Sequence, residues 1–274
     1  MALYKQQVTL EEMNYQTIEE HRKRGTTTEA ELAEAERKLL KAKIVYCTFI
    51  IDNWVHFYNE PETVAQAREE LLGCYQRLYE LAKLDHERIQ QHAARGIATG
   101  VELRAAQQKV IEAEIVVLNF QLQEERRKSL PVDSQKASTF SPAEQQRLKQ
   151  LYQQIVVQEN ANLQMVQSYY QAGDPRGSML MLTEAKRGVT QAKIDLSTFL
   201  LNETTLTLSE YTRERQNLRS LYTELCVIAQ EGVQAAREAY LVQRMDYAEV
   251  ARYERKLTEA EIALIRLFPE RDSR

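Results

Sequence analysis

A chain of 274 residues is long enough to bury one large core or two smaller ones. Its 36 basic residues against 40 acidic ones leave a formal net charge of −4, so charge gives no reason to expect a nucleic acid or an acidic membrane surface as partner. Only 8 glycines and 5 prolines, beside abundant Ala, Glu, Gln, Leu, Arg and Lys, exclude a turn-rich sheet protein and leave the composition of long helices.

The start of the chain, Met1 to Lys23, reads as a helix, with Leu3 and Tyr4 near its beginning. Arg24-Gly25-Thr26-Thr27 ends it, because Gly closes a helix in a left-handed conformation at low steric cost. Thr28 then stands as an N-cap with Glu31 at the capping-box spacing. The long helix that follows is expected to reach about Tyr58, where Pro61 prevents simple extension. A second upstream helix is expected from Glu62 to Ala94 and its long partner from Thr99 to Lys128, again with a threonine and a glutamate, Thr99 and Glu102, at that spacing. Residues 129–141 form the one sizeable polar, proline-bearing connection and divide the chain into similar halves, 1–128 and 142–274.

Pro142 suits the first position of the next helix, with Ser141 as its cap. That helix runs to Gln171, and a turn around Gly173 leads to a third long helix capped by Ser178 and ending near Leu201. Asn202 to Ser209 make the last reversal, and the fourth pair occupies about 210–241 and 246–267, with Asp246 and Glu249 at its turn.

The turn and the long helix are one unit repeated four times. Aligned from Gly25, Gly96, Pro175 and Gln243, the copies superpose Leu32, Leu103, Leu182 and Val250, and further on Ala42, Ala113, Ala192 and Ala260. The dipeptide Leu-Tyr recurs in the upstream helices at Tyr4, Tyr79, Tyr152 and Tyr222, at a varying distance from the turn. Within each long helix apolar residues step by three and four, as in Leu103, Ala106, Val110, Ala113, Val117 and Phe120, which is a coiled-coil seam. Large residues alternate with alanine, so the partner helix should approach closely. A second stripe, Ile44, Ile51, Ile115, Leu122, Ile194, Leu201 and Ile262, lies about 170° from the seam. Arg37, Gln108, Arg187 and Arg255 occupy that face one heptad earlier, so the distal half of each long helix should be buried on two sides and the proximal half on one. These seven apolar residues are the candidate interface, to be covered either by the protein's own helices or by another chain.

No catalytic constellation emerges. None of His21, His56, His86 or His92 follows a Glu at the Glu-x-x-His spacing that a di-iron bundle requires, and the Asp52 and His56 pair reads as a surface or capping contact. There is no phosphate-binding glycine loop, no Cys-x-x-Cys and no Gly-x-Ser-x-Gly, so no metal or cofactor is expected. Cys47, Cys74 and Cys226 are unclustered and odd in number, which fits small buried apolar residues rather than a disulfide framework. The best apolar run, Ile44 to Ile51, is stopped by Asp52, well short of the roughly 20 residues of a membrane span. The N-terminus lacks a basic region followed by an apolar one, which predicts a cytoplasmic protein or one whose leader has been removed.

The stretch Ala94-Arg95-Gly96-Ile97-Ala98-Thr99-Gly100-Val101-Glu102-Leu103, followed by Ala106, Val110 and Ala113, resembles the repeated motif of the TolC-type outer-membrane efflux family. There a helix ends in an aromatic or basic residue and Gly, and Ser or Thr opens a long helix with alternating Leu and Ala. Arg24-Gly25-Thr26-Thr27-Thr28 and Gln243-Arg244-Met245-Asp246 look like diverged versions. The resemblance is to the periplasmic helical hairpins of that family, without its β-barrel segments. It implies a cell-envelope protein whose hairpins pack side by side into a trimeric helical tunnel for export.

The expected fold is therefore all-α: about eight helices in four long antiparallel hairpins forming a coiled-coil-like bundle. The expected role is a non-enzymatic interaction protein that binds a helical partner or self-associates. The alternatives are a self-assembling scaffold and, last, a helical enzyme or metal carrier.

Overall fold

In the computed structural model residues 1–53, 61–128, 142–174, 177–203 and 206–268 are described, and they form eight α-helices and no strand. The first four are α1 (Ala2–Lys23), α2 (Glu29–Asp52), α3 (Pro61–Ala94) and α4 (Gly100–Lys128). The other four are α5 (Pro142–Gln171), α6 (Met179–Glu203), α7 (Leu208–Leu241) and α8 (Tyr247–Leu267). The chain divides into two compact units, Met1–Phe140 and Ser141–Arg274. The sequence-read connection 129–141, the cap Ser141, the far end of the second helix near Tyr58 with His56, and Pro175 lie outside the described residues.

All four hairpin tips are built alike. The upstream helix ends in a residue of positive φ: Gly25 at 75°, Gly96 at 71°, Gly173 at 66° and Gln243 at 56°. At each, the amide of that residue donates to a carbonyl of the last helical turn, and the next amide donates to a carbonyl further back. At the first tip these are Gly25 to Arg22 and Thr26 to His21; at the fourth, Gln243 to Tyr240 and Arg244 to Ala239. This is the Schellman ending, which satisfies carbonyls that a helix terminus otherwise leaves unpaired. The long helix then opens on a side-chain cap. The Thr28, Thr99 and Ser178 hydroxyls accept from Glu31, Glu102 and Met181 amides, and the Asp246 carboxylate accepts from the Glu249 amide. A further capping box, Thr207 with Glu210, opens α7, a start that the sequence reading places inside the last reversal. The cap hydrogen bonds, with the Thr28 and Thr99 backbone amides contributing most, hold the Glu31 and Glu102 carboxyls below the usual glutamate range.

Within each unit the helices form a row. In the first, α1 packs on α2, α2 on α3 and α3 on α4; in the second, α5 on α6, α6 on α7 and α7 on α8. Among the described residues no other pair of helices within a unit comes into backbone contact. The α2 and α3 contact is antiparallel, as the ion pairs Arg37 with Asp85 and, further along α2, Lys43 with Glu70 show.

One aromatic contact repeats in every hairpin. Tyr4 meets Phe49, Tyr75 meets Phe120, Tyr152 meets Phe199 and Tyr222 meets Phe268, with ring centroids 5.0, 5.6, 5.2 and 6.4 Å apart. Such pairs contribute about 0.5–1.5 kcal/mol each beyond their burial. The separation from tyrosine to positive-φ residue is identical in all four hairpins, from Tyr4 to Gly25, Tyr75 to Gly96, Tyr152 to Gly173 and Tyr222 to Gln243. The second copy therefore matches at Tyr75 rather than at Tyr79, and the upstream helices hold one register. In the fourth hairpin the aromatic residue is Phe268, just past the end of the sequence-read seam, and Leu267 is left exposed.

Gln243 is the one non-glycine residue of positive φ among those described, and side chains disfavour that conformation. Replacing it with glycine should raise stability by roughly 0.5–1 kcal/mol, the strain relieved less the entropy a glycine adds to the unfolded chain. Urea melts would read this directly; an unchanged or lower midpoint for Gln243→Gly would show that the glutamine side chain contributes more than its backbone costs.

Candidate interaction surfaces

The two apolar stripes of a long helix have different partners. The seam faces the upstream helix of the same hairpin: Phe49, Phe120 and Phe199 meet the tyrosines of α1, α3 and α5. Small residues allow close approach, and Ala35 and Ala42 on α2, Ala106 on α4 and Ala185 and Ala192 on α6 are buried. At the fourth hairpin α7 itself supplies the small residue. A Cβ on Gly232 would lie 3.2 Å from the Tyr253 ring, so glycine there lets α8 come close.

The second stripe of α2 and of α6 meets the next hairpin. Leu40 is buried with Cys74 and Leu81 of α3, and Cys47 and Ile50 with Ala67 and Leu71. Ile44 lies between Leu40 and Cys47 on this face, and Ile51 packs at its far end. On α6, Ile194 is buried among Leu218, Leu221 and Leu225 of α7, with Leu201 packed alongside. Ile115 and Leu122 of α4 are also buried. Ile262 of α8 differs: it is 43% exposed.

Polar groups fill the rest of these junctions. On α6 the heptad-spaced Thr183, Thr190 and Ser197 are almost fully buried. The Thr190 hydroxyl donates to Glu224 of α7 at 3.3 Å, Ser197 donates to Glu214, and the Asn217 amide donates to Ser197 at 3.0 Å. Buried hydroxyls need such partners, since an unmet one costs about 1–3 kcal/mol. On α2 the proximal half of the second face is also in contact, because Arg37 there pairs with Asp85 of α3. The arginine that reads as a solvent-facing residue in the sequence is thus a junction residue. Lys43 joins three helices, 3.1 Å from Glu12 of α1 and 3.4 Å from Glu70 of α3. Burial alone would lower its pKa, but the Glu12 hydrogen bond and the Glu70 charge outweigh that and raise it. Lys256 of α8 reaches Glu184 of α6 at 2.6 Å while its ammonium lies 4.8 Å from the Tyr253 ring centroid, so α6 and α8 meet through side chains over α7.

The first helix of one unit and the last helix of the other expose apolar residues instead. On α1, Leu3 is 79% and Leu10 65% exposed, and no residue of the helix is fully buried. On α8, Ile265 is 67% exposed beside Ile262. Leu3, Leu10 and Ile265 are not among the sequence-read interface residues; counting the upstream helix back from its glycine, rather than matching dipeptides, finds the first two.

Cys47 and Cys74 are buried thiols with no disulfide. Burial, with the Glu70 carboxylate next, pushes Cys47 up to about 12 and Cys74 up to about 11 from an ordinary 9.0. Among the described residues no group of three His, Cys, Asp or Glu side chains is placed to hold a metal ion, and no helix is long and apolar enough to cross a membrane.

The packing of the second stripe can be tested by charge. Glutamates at both Ile115 and Leu122 put charge into a dry contact, at a cost of several kcal/mol, whereas Arg187→Glu removes only the half-exposed pair with Glu184 and should cost under about 1 kcal/mol. Thermal melts separate the two; equal losses would mean that the second stripe is not the more tightly packed part of its face. The folded state also keeps thiol protons that the unfolded chain releases above about pH 9. Stability should therefore fall as pH rises from about 9 toward 11 to 12, and urea midpoints of Cys47→Ala should fall less steeply over that range; identical slopes would refute the assignment.

No protein-family model, no curated protein and no solved structure matches this chain.

Proposed function

We propose that this chain is a non-enzymatic helical interaction protein, built like the periplasmic helical part of TolC-type export proteins, that acts by presenting the outer faces of its edge helices to other helices. The observation that carries the reading is the exposure of Leu3 and Leu10 on α1 and of Ile262 and Ile265 on α8. Apolar side chains at helical spacing on an open edge suit a helical partner, and each fully buried Leu or Ile contributes roughly 1.5–3 kcal/mol. Charged groups also support a structural role, since Lys43 with Glu12 and Glu70, Arg77 with Glu36 and Lys256 with Glu184 each tie helices together. The export part of the reading draws on the repeated Gly-and-Thr turn and on hairpins laid side by side.

Fractionation and proximity labelling in the native host test both parts. The protein should be found in the cell envelope and should label export components; a protein confined to the cytoplasm would remove the export reading. Leu3→Glu with Leu10→Glu should abolish the labelling of partners while helical content stays unchanged, and labelling indifferent to those charges would remove the interaction reading.

A further inference from the structure

The junction of α2 with α3 is a ladder, because in an antiparallel pair a step forward on one helix is matched by a step back on the other. Its first rung is the ion pair of Arg37 with Asp85. The next is Leu40 buried with Leu81, and after it Ile44 and Leu78 pack together on that cluster. At the far end Ile51 packs on the cluster that holds Leu71. The steps alternate between three and four residues on both helices, in opposite directions. The rung that falls between Ile44 with Leu78 and Ile51 with Leu71 is Cys47 with Cys74.

The heptad gives the same pairing. Cys47 lies one heptad after Leu40 and Cys74 one heptad before Leu81, so the two thiols occupy the places of a contact that the structure shows directly. Cys47 is buried beside Ala67, a small residue that keeps the helices near each other at this level. The two sulfurs also feel each other's charge, since Cys74 adds to the rise of the Cys47 pKa behind burial and Glu70. Cys47 is 0% and Cys74 4% exposed, so a thiolate in the closed junction is costly and the folded dithiol is slow to react. Exchange at this rung therefore belongs to folding, or to a local opening of the junction. The pair is hidden in the sequence because its members stand on different helices and share no Cys-x-x-Cys spacing.

We propose that Cys47 and Cys74 are a thiol–disulfide pair that fastens the first hairpin to the second in an oxidising compartment. The oxidant is a small or protein disulfide of the surroundings. The Cys47 thiolate attacks it, breaking its S–S bond, releasing one thiol and leaving a mixed disulfide on Cys47. The Cys74 thiolate then attacks the Cys47 sulfur, forms the internal S–S bond and expels the second thiol. Two protein thiols are oxidised, one disulfide is reduced, and the two protons given up by the cysteines end on the two released thiols. The new bond joins α2 to α3 where apolar packing and ion pairs otherwise hold the hairpins together, and it restricts the unfolded chain. This inference is independent of what the edge helices bind.

Oxidative refolding tests it. The reduced chain is unfolded in urea and refolded with oxidised glutathione at about pH 8, where an unburied thiol is partly thiolate. Remaining thiols are alkylated before digestion with trypsin. Cleavage after Lys43, Arg68 and Arg77 places the two cysteines on adjoining peptides, 44–68 and 69–77. These should be recovered joined and should part on reduction, with Cys226 alkylated. The oxidised chain should also show a higher urea midpoint than the reduced one. Cys47→Ala and Cys74→Ala should each abolish that difference, and Cys226→Ala should leave it in place. Recovery of Cys47 and Cys74 alkylated or carrying glutathione, a link from either to Cys226, or a joined pair with an unchanged or lower midpoint would overturn the proposal. The peptide assay uses the unaltered chain, so it decides the matter even where an alanine variant fails to fold.

Discussion

A helix that closes on a left-handed residue returns two amides to its own last turn, and the chain then leaves at a fixed angle. In this protein that ending occurs at Gly25, Gly96, Gly173 and Gln243, and it determines the height at which each pair of helices meets. At one constant distance down the upstream helix from that ending, a tyrosine meets a phenylalanine of the long helix in every hairpin. Between tip and aromatic pair the seam alternates large residues with alanine, so the helices are held close over most of their length. A slip of one heptad would leave the alternation of the seam in phase but would break the aromatic contact. The turn and the aromatic pair thus pin the register at both ends.

With hairpin register settled, the junctions between hairpins have freedom in chemistry. The α2 and α3 contact is mostly apolar, through Leu40, Cys47 and Ile50, with arginine pairs at its edge. The α6 and α7 contact keeps Ile194 at its centre but places Thr190 and Ser197 where α2 has Leu40 and Cys47. Carboxylates of Glu224 and Glu214 accept from those hydroxyls, which offsets the cost of burying them. Hydrogen bonds to charged groups are directional, contributing about 1.5–3 kcal/mol each, so this junction tolerates sliding less than an apolar one would. Geometry repeats here while side-chain chemistry does not.

Much of this was legible from the residues. The four caps Thr28, Thr99, Ser178 and Asp246 followed from type and spacing, because a cap is a local interaction. The seam followed from its period. The upstream register did not, since Leu78-Tyr79 imitates the dipeptide of the other copies while Tyr75 holds the structural position. The partner of each stripe was not legible either, because amphipathicity shows that a face is covered and says nothing of what covers it. Arg37 illustrates the same limit: an arginine on a helix face reads as solvated, yet its facing carboxylate, Asp85, is distant in sequence and adjacent in space.

Stacked repeats depend on their neighbours for burial, and the outer face of a terminal repeat ordinarily carries polar residues in place of the missing contact. Here α1 and α8 depart from that rule. At the positions where α3 has Cys74 and Leu81, α1 keeps Leu3 and Leu10 rather than Lys or Glu, and α8 keeps Ile262 where α2 has Ile44. Their surroundings are polar, with Lys5, Gln6 and Thr9 beside the leucines and Glu254, Thr258 and Glu261 beside the isoleucines. An apolar stripe rimmed by polar residues is the composition of a contact surface. Both edges therefore carry the pattern of an internal junction.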